Sequence, residues 1–149
     1  MRSGSPITVD VVTDVTEDVI AAMTHLLPQV SASAAIPSRE QLHEIVSANA
    51  TSLLLARLDG HVVGMLTLAS FRIPSGVRAW IEDVVVDTAA RGRGVGELLT
   101  RAAIEIAVSK GARTVELTSR PAREAANRLY SRLGFQPRDT NVYRYTVSS

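Results

Sequence analysis

Apolar and polar positions alternate with two different periods along the chain, and the switches between them set the order of elements. Residues 7–12 (ITVDVV) alternate, as a half-buried strand does. From Thr16 onward Val19, Ile20, Met23, Leu26 and Leu27 recur at helical spacing, and Pro28 stands where that helix should stop. Residues 29–37 are small and weakly patterned, a loop. Ser38 followed by Gln41 forms a capping box for a second helix with Leu42, Ile45 and Val46 on one face. Residues 51–58 and 61–70 are strand-like, joined by Asp59-Gly60, a pair suited to the positive φ angles of a tight hairpin. Residues 71–77, with Pro74 and Ser75-Gly76, read as a second turn, and 78–86 as the third strand of an antiparallel meander.

The character then changes. A glycine-rich link, 91–96, leads into a helix reaching about Lys110, with Val95, Leu98, Leu99, Ala102 and Ile106 as its buried stripe and Gly111 ending it. Residues 114–118 read as a strand. Residues 122–133 read as a helix with Ala126, Leu129, Tyr130 and Leu133 on one face, ended by Gly134. Residues 135–137 and 142–147 suit a closing pair of strands. The order β-α-α-β-β-β-α-β-α-β-β is that of a mixed α+β sheet domain. No repeat or linker divides the chain, so a single domain over 1–149 is expected, with residues 1–5 as a flexible N-terminus.

Composition narrows the functions open to such a domain. Sixteen Lys and Arg against fifteen Asp and Glu leave a formal charge of +1, which gives no electrostatic case for nucleic acid or an anionic membrane as partner. Aromatics are 4%, too few for a base-stacking platform. The absence of Cys excludes disulfides, thiolate metal sites and a Cys nucleophile. No apolar run approaches the roughly 20 residues of a membrane span, and residues 1–6 do not resemble a signal peptide, so a cytoplasmic protein is expected. His25, His43 and His61 are isolated in sequence and lack metal-ligand spacing, so no metal is expected.

The segment with the most chemical content is the strand ending at Val84, Val85 and Val86 together with the turn Arg91-Gly92-Arg93-Gly94-Val95-Gly96. A helix's first turn exposes unpaired N–H groups and partial positive charge, both attractive to phosphate. Glycines let the backbone approach an anion, and arginines add charge-assisted contacts. No Lys follows as in a P-loop, and the glycine spacing is not that of a dinucleotide fingerprint. What remains is Arg-x-x-Gly-x-Gly, filled by Arg91, Gly94 and Gly96. It resembles the pyrophosphate-binding motif of the GCN5-related N-acetyltransferase (GNAT) family. Val86, Arg91 and Gly92 match the usual lead-in, with Thr88 where Pro is common. Leu129, Tyr130, Gly134 and Phe135 match the Leu-Tyr-x-x-x-Gly-Phe pattern. The Asn often found seven residues before that Tyr is replaced by Arg123, and Asn127 could contact the cofactor from a different point.

The resemblance implies a twisted, mostly antiparallel sheet with helices on both faces, and acetyl-CoA as co-substrate. It implies that residues 84–86 and 91–96 hold the cofactor in a splay between the strand ending at Val86 and the strand at 114–118. It also makes Tyr130 the candidate general acid for the leaving thiolate. Glu82 and Asp83 are the carboxylates beside that position: Glu82 as candidate base, Asp83 as candidate for substrate binding. Regular alternation places Glu82 on the face of Trp80, Val84 and Val86, with Asp83 opposite. The run 81–86 looks like the matching segment of glucosamine-6-phosphate N-acetyltransferases, although the substrate loops do not. The expected activity is acetyl transfer to a primary amine by direct attack in a ternary complex, from a monomer or homodimer. The alternatives are a non-catalytic acyl-CoA sensor and a protein lysine or N-terminal acetyltransferase. Acceptor choice is expected to lie in residues 29–37, 71–77 and 136–141.

Overall fold

Asp59 and Gly60 take φ angles of 51° and 79°, and this turn closes the hairpin around which the sheet is built. The computed structural model describes residues 6–148, so the expectation of a flexible stretch at residues 1–5 lies outside the described residues. The chain divides into two compact units, Met1–Thr118 and Ser119–Ser149.

The first unit carries the sheet. Strand β1 (Ile7–Val11) is followed by helices α1 (Glu17–Val30) and α2 (Arg39–Ser47). Strands β2 (Thr51–Leu58), β3 (His61–Ile73) and β4 (Gly76–Val86) come next, then a short 3-10 turn at Thr88–Ala90 and helix α3 (Val95–Ser109). The four strands pair antiparallel in chain order. The capping box forms: the Gln41 N–H donates to Ser38 Oγ at 3.1 Å, and the Ser38 N–H donates to Gln41 Oε1 at 2.9 Å. On one face of the sheet Leu53, Leu55, Met65 and Val85 pack with Val19, Ala22, Met23 and Leu26 of α1 and Leu42 of α2. The other face receives α3.

Gly64 sets how closely α3 lies on β3. A Cβ built there falls 2.8 Å from Val95 Cγ1, 3.1 Å from Leu99 Cδ1 and 3.1 Å from the Val85 carbonyl oxygen. Gly64→Ala is expected to cost about 1–3 kcal/mol through overpacking, read as a lower midpoint in denaturant with an unchanged slope.

Four expectations change. Helix α1 runs through Pro28 to Val30, because a ring in the last turn removes only one backbone bond and the Ser31 N–H still closes onto the Leu27 carbonyl at 3.0 Å. The turn at 71–77 is mostly strand: β3 and β4 pair as far as Ile73 with Gly76, leaving a two-residue tip. The buried row of α3 is Val95, Leu99, Thr100, Ala103 and Ala107, with Leu98 39% exposed. Small residues at 103 and 107 let that row face the sheet closely, which a search for the bulkiest apolar side chains passes over. The strand at 114–118 is reduced to one parallel bridge between Trp80 and Glu116.

The second unit contains α4 (Glu124–Leu133), ended by Gly134. Phe135 folds back on it, its N–H donating to the Tyr130 carbonyl at 2.9 Å. The closing strands expected at 135–137 and 142–147 do not form among the described residues. Val142, Tyr143, Tyr145 and Val147 are 76–91% exposed, and alternation alone does not make a strand.

Candidate active site

Strand β4 is irregular where the carboxylates lie. Thr67 pairs with Glu82 but Met65 pairs with Val85, so β4 carries one extra residue over that interval. This is a β-bulge, and Asp83 absorbs it with φ 47°, a left-handed value that Asp tolerates better than most residues. The bulge shifts the alternation. Glu82 pairs with Thr67 and therefore shares the α1/α2 face with Trp80 and Val85. Val86 pairs with Gly64 and faces α3. The regular phase that put Glu82 beside Val86 is thus corrected, since the inserted residue inverts everything after it.

The backbone switches in the same way. Below the bulge the outer edge of β4 is paired: the Ile81 N–H donates to the Glu116 carbonyl at 2.9 Å, and the Glu116 N–H to the Ala79 carbonyl at 3.0 Å. Above it the Asp87 N–H turns inward to the Val63 carbonyl at 2.8 Å. Alternation back from Asp87 points the N–H and C=O of Val86 and Val84 outward. Residues 117 and 118 make no backbone bond to that edge among the described residues. The two segments diverge just above Glu116 and leave an open strand edge.

The turn after β4 ends on α3. Gly92 and Gly94 have φ of 82° and 80°, and a Cβ at either would meet nothing within 4 Å, so the left-handed backbone favours glycine here and the space beside it is open. Gly94 is the N-cap of α3 and offers no side-chain cap. The first internal bond runs from the Leu98 N–H to the Gly94 carbonyl at 3.1 Å, so the N–H groups of Val95 and Gly96 belong to the unpaired first turn. Arg91 and Arg93 are exposed and in no ion pair among the described residues. Arg101 holds the Glu97 carboxylate at 3.0 Å, offsetting the one acidic group of that turn. These features fit a pyrophosphate.

The turn is anchored by side chains of α1 that no motif in the sequence marks. His25 Nε2 lies 2.9 Å from Asp87 Oδ2, and Asp87 Oδ1 accepts the Ala89 N–H at 3.2 Å. One helical turn on from His25, Gln29 Oε1 accepts the Thr88 N–H at 3.1 Å. A proline at 88 would have no such N–H, so the departure from the family pattern is used as a hydrogen bond. His25 is therefore not isolated. Its partner lies 62 residues away, and only the i, i+4 spacing of two polar residues on α1 hinted at a shared face.

Burial by itself would raise the Asp87 carboxyl; the hydrogen bonds from His25 and the Ala89 N–H outweigh it and hold the group below its ordinary 3.8. A depressed folded-state pKa contributes stability that is present above the unfolded value and lost as pH falls through the folded one. His25→Ala is expected to destabilise by about 1 kcal/mol at neutral pH. Melting curves of the variant and the parent should converge below pH 3.8.

In the second unit Tyr130 is buried, and its ring packs edge-on to Phe135 with centroids 5.6 Å apart. Burial raises its pKa above 10.0, with Arg123 opposing in part, so the hydroxyl keeps its proton throughout the neutral range. Asn127 Nδ2 donates to the Arg120 carbonyl at 3.0 Å, which ties its amide to the turn before α4.

The model of the "Acetyltransferase (GNAT) family" matches residues 19–135, and the chain belongs to that family. It is 30% identical to glucosamine 6-phosphate N-acetyltransferase 1 of Oryza sativa over 138 residues, 86% of this chain and 81% of the rice protein. It is 29% identical over 104 residues, 70% of this chain, to a Bacillus subtilis protein provisionally named as a ribosomal protein bS18-alanine N-acetyltransferase. That match spans 66% of the Bacillus protein. Among solved structures, an aminoglycoside acetyltransferase from an uncultured soil metagenomic sample, in complex with trehalose, superposes with a TM-score of 0.84 at 20% identity. That superposition covers 96% of this chain and 97% of the other. The fold is that of these acetyltransferases: a four-stranded antiparallel sheet with helices on both faces. No described helix is long and apolar enough to cross a membrane.

Proposed function

We propose that the chain transfers an acetyl group from acetyl-CoA to a primary amine by direct attack in a ternary complex, in the cytoplasm. The observation that carries this reading is the bulge at Asp83. It opens the edge of β4 at Val84 and Val86 directly before a helix whose N–H groups at Val95 and Gly96 are unspent.

Acetyl-CoA supplies the acetyl group activated as a thioester. Arg91, Gly92, Arg93 and the first turn of α3 (Val95, Gly96) hold its pyrophosphate through guanidinium and backbone donors. The outward N–H and C=O of Val84 and Val86 pair with its amide arm. An N–H of that edge supplies a donor for the oxyanion, and Val85 anchors the strand from the core side. Glu82 takes the proton from the attacking ammonium, directly or through water, and Asp83 binds the acceptor amine. Tyr130 returns a proton to the thiolate. Its role rests on its motif and on a hydroxyl that stays protonated. Asn127, committed to the Arg120 carbonyl, is a lesser candidate for cofactor contact.

Thiol release against a panel of amines tests the reading. Glucosamine 6-phosphate, an aminoglycoside and a peptide with N-terminal alanine represent the relatives' named substrates. Turnover of at least one supports catalysis, whereas tight acetyl-CoA binding with no turnover on a broad panel favours the non-catalytic sensor. Glu82→Gln is expected to cut kcat/KM by roughly 10²-fold, most at low pH, where little free amine is present. Asp83→Asn, which keeps the left-handed bulge because Asn tolerates it, should chiefly raise KM. If Asp83→Asn removes turnover and Glu82→Gln does not, the two roles are exchanged.

A further inference from the structure

At the opposite end of β4 from the glycine-rich turn, the β3–β4 hairpin and the segment after α3 enclose a cleft of about 470 Å³. Seven residue steps along the strand lead from Gly76 to Asp83, about 23 Å at the usual rise, so this cleft is distinct from the open edge above the bulge. Three of its lining residues are Arg72, Arg78 and Arg113, and two more, Ser75 and Thr114, bring hydroxyls. No Asp or Glu lines it among the described residues. In a chain whose formal charge is only +1, this is a local concentration of cations.

The arginines arrive from three directions. Arg72 pairs with Val77 and Arg78 with Phe71, so the two leave opposite faces of the hairpin, while Arg113 comes from the segment beyond α3. None is in an ion pair or hydrogen bond among the described residues. The neighbouring Lys110 is already spent, its Nζ donating to the Asn49 carbonyl at 3.0 Å. The C-terminus of α3 carries partial negative charge, but its final carbonyls accept from the N–H groups of Lys110, Gly111 and Ala112. Three arginines border this concavity without an ion pair of their own among the described residues, and a multivalent anion can accept their forked donors.

We propose that this cleft is a second, anion-selective site for a small phosphate-bearing ligand of roughly nucleotide or sugar-phosphate size. The concave shape and its volume suit a small molecule, in the range of ~300–1,000 Å³ typical of ligand clefts. The planar donors of arginine match tetrahedral phosphate oxygens, and the hydroxyls of Ser75 and Thr114 supply further donors. Occupancy would fasten the hairpin tip to the segment that leads from α3 to the Glu116 bridge.

The test is a titration of the isotopically labelled full chain with inorganic phosphate, followed by amide and arginine side-chain shifts. Sodium chloride at matched ionic strength is the control. The expected result is saturable shifts at residues 72–78 and 111–114 that chloride does not reproduce. Arg72→Ala with Arg113→Ala should weaken that binding at least ~10-fold while acetyl-CoA affinity holds. Arg72→Lys with Arg113→Lys, which keeps the charges, should lie between. Arg91→Ala with Arg93→Ala should leave the shifts at 72–78 in place. Phosphate shifts confined to residues 91–97, or shifts at 72–78 that chloride equals, would overturn the proposal. So would a poly-glutamate peptide that binds the hairpin and is not displaced by phosphate, since it would mark a docking surface for an acidic protein.

Discussion

Gly94→Asp is expected to weaken acetyl-CoA binding by roughly 100-fold, about 2.7 kcal/mol, without unfolding the protein. Gly94 caps α3 with φ 80°, and nothing lies within 4 Å of the Cβ it lacks, so the new side chain meets open space. Asp is among the residues that enter left-handed backbone at the smallest cost, about 1 kcal/mol. What changes is the ligand's surroundings: a carboxylate stands at the helix end whose unspent N–H groups and partial positive charge suit a pyrophosphate. Gly94→Asn, with the same shape and no charge, should lose roughly 10-fold and so separates bulk from repulsion. Gly96→Asp extends the test into the first turn of α3, where a carboxylate favours the helix. A variant that binds worse while melting no lower would show that the loss is electrostatic. Calorimetry on all three against the parent decides it, and parental affinity in both Asp variants would remove the pyrophosphate site.

The second large effect is expected at Tyr130. Tyr130→Phe should lower kcat by roughly 10²-fold, the typical contribution of a general acid, with little change in acetyl-CoA affinity. Stability should hold or rise slightly, because the buried ring keeps its edge-on contact with Phe135 and the lost hydroxyl has no hydrogen-bond partner among the described residues. Since burial raises its pKa above 10.0, the parent's kcat should show no decline from Tyr ionisation up to that pH. A variant that turns over like the parent would reduce Tyr130 to a packing residue.

How far the fold and site were legible in the sequence depends on the distance over which each feature is determined. The Asp59-Gly60 turn, the Ser38–Gln41 box and the end of α4 at Gly134 are local, and the structure has each where the pattern put it. The bulge is not local. Whether one residue of β4 is extra depends on its register against Met65 and Thr67, which no run of Val84-Val85-Val86 contains. Asp83 was a faint signal, an Asp among β-formers and of a type that accepts positive φ. The bulge explains two misreadings at once: the inverted side-chain phase beyond Glu82, and the shrinking of the 114–118 strand to a bridge, since the edge it would pair with turns away. The clasp of His25 and Gln29 on residues 87–89 joins positions some 60 apart and follows from how α1 packs, not from any spacing. The VYRYTV segment shows the converse, a strong strand pattern whose Val142, Tyr143, Tyr145 and Val147 stay exposed.

The central claim is that acetyl-CoA lies along the open edge of β4 and against the first turn of α3. Backbone hydrogen exchange of the full chain, with and without saturating acetyl-CoA, tests it most directly. The expected result is added protection at two separate places, the amides of residues 84–86 and those of residues 91–97, with the hairpin-tip amide of Ser75 unchanged. Binding that protects neither segment, or protects the α3 turn alone, would contradict the placement of the acyl arm beside the bulge.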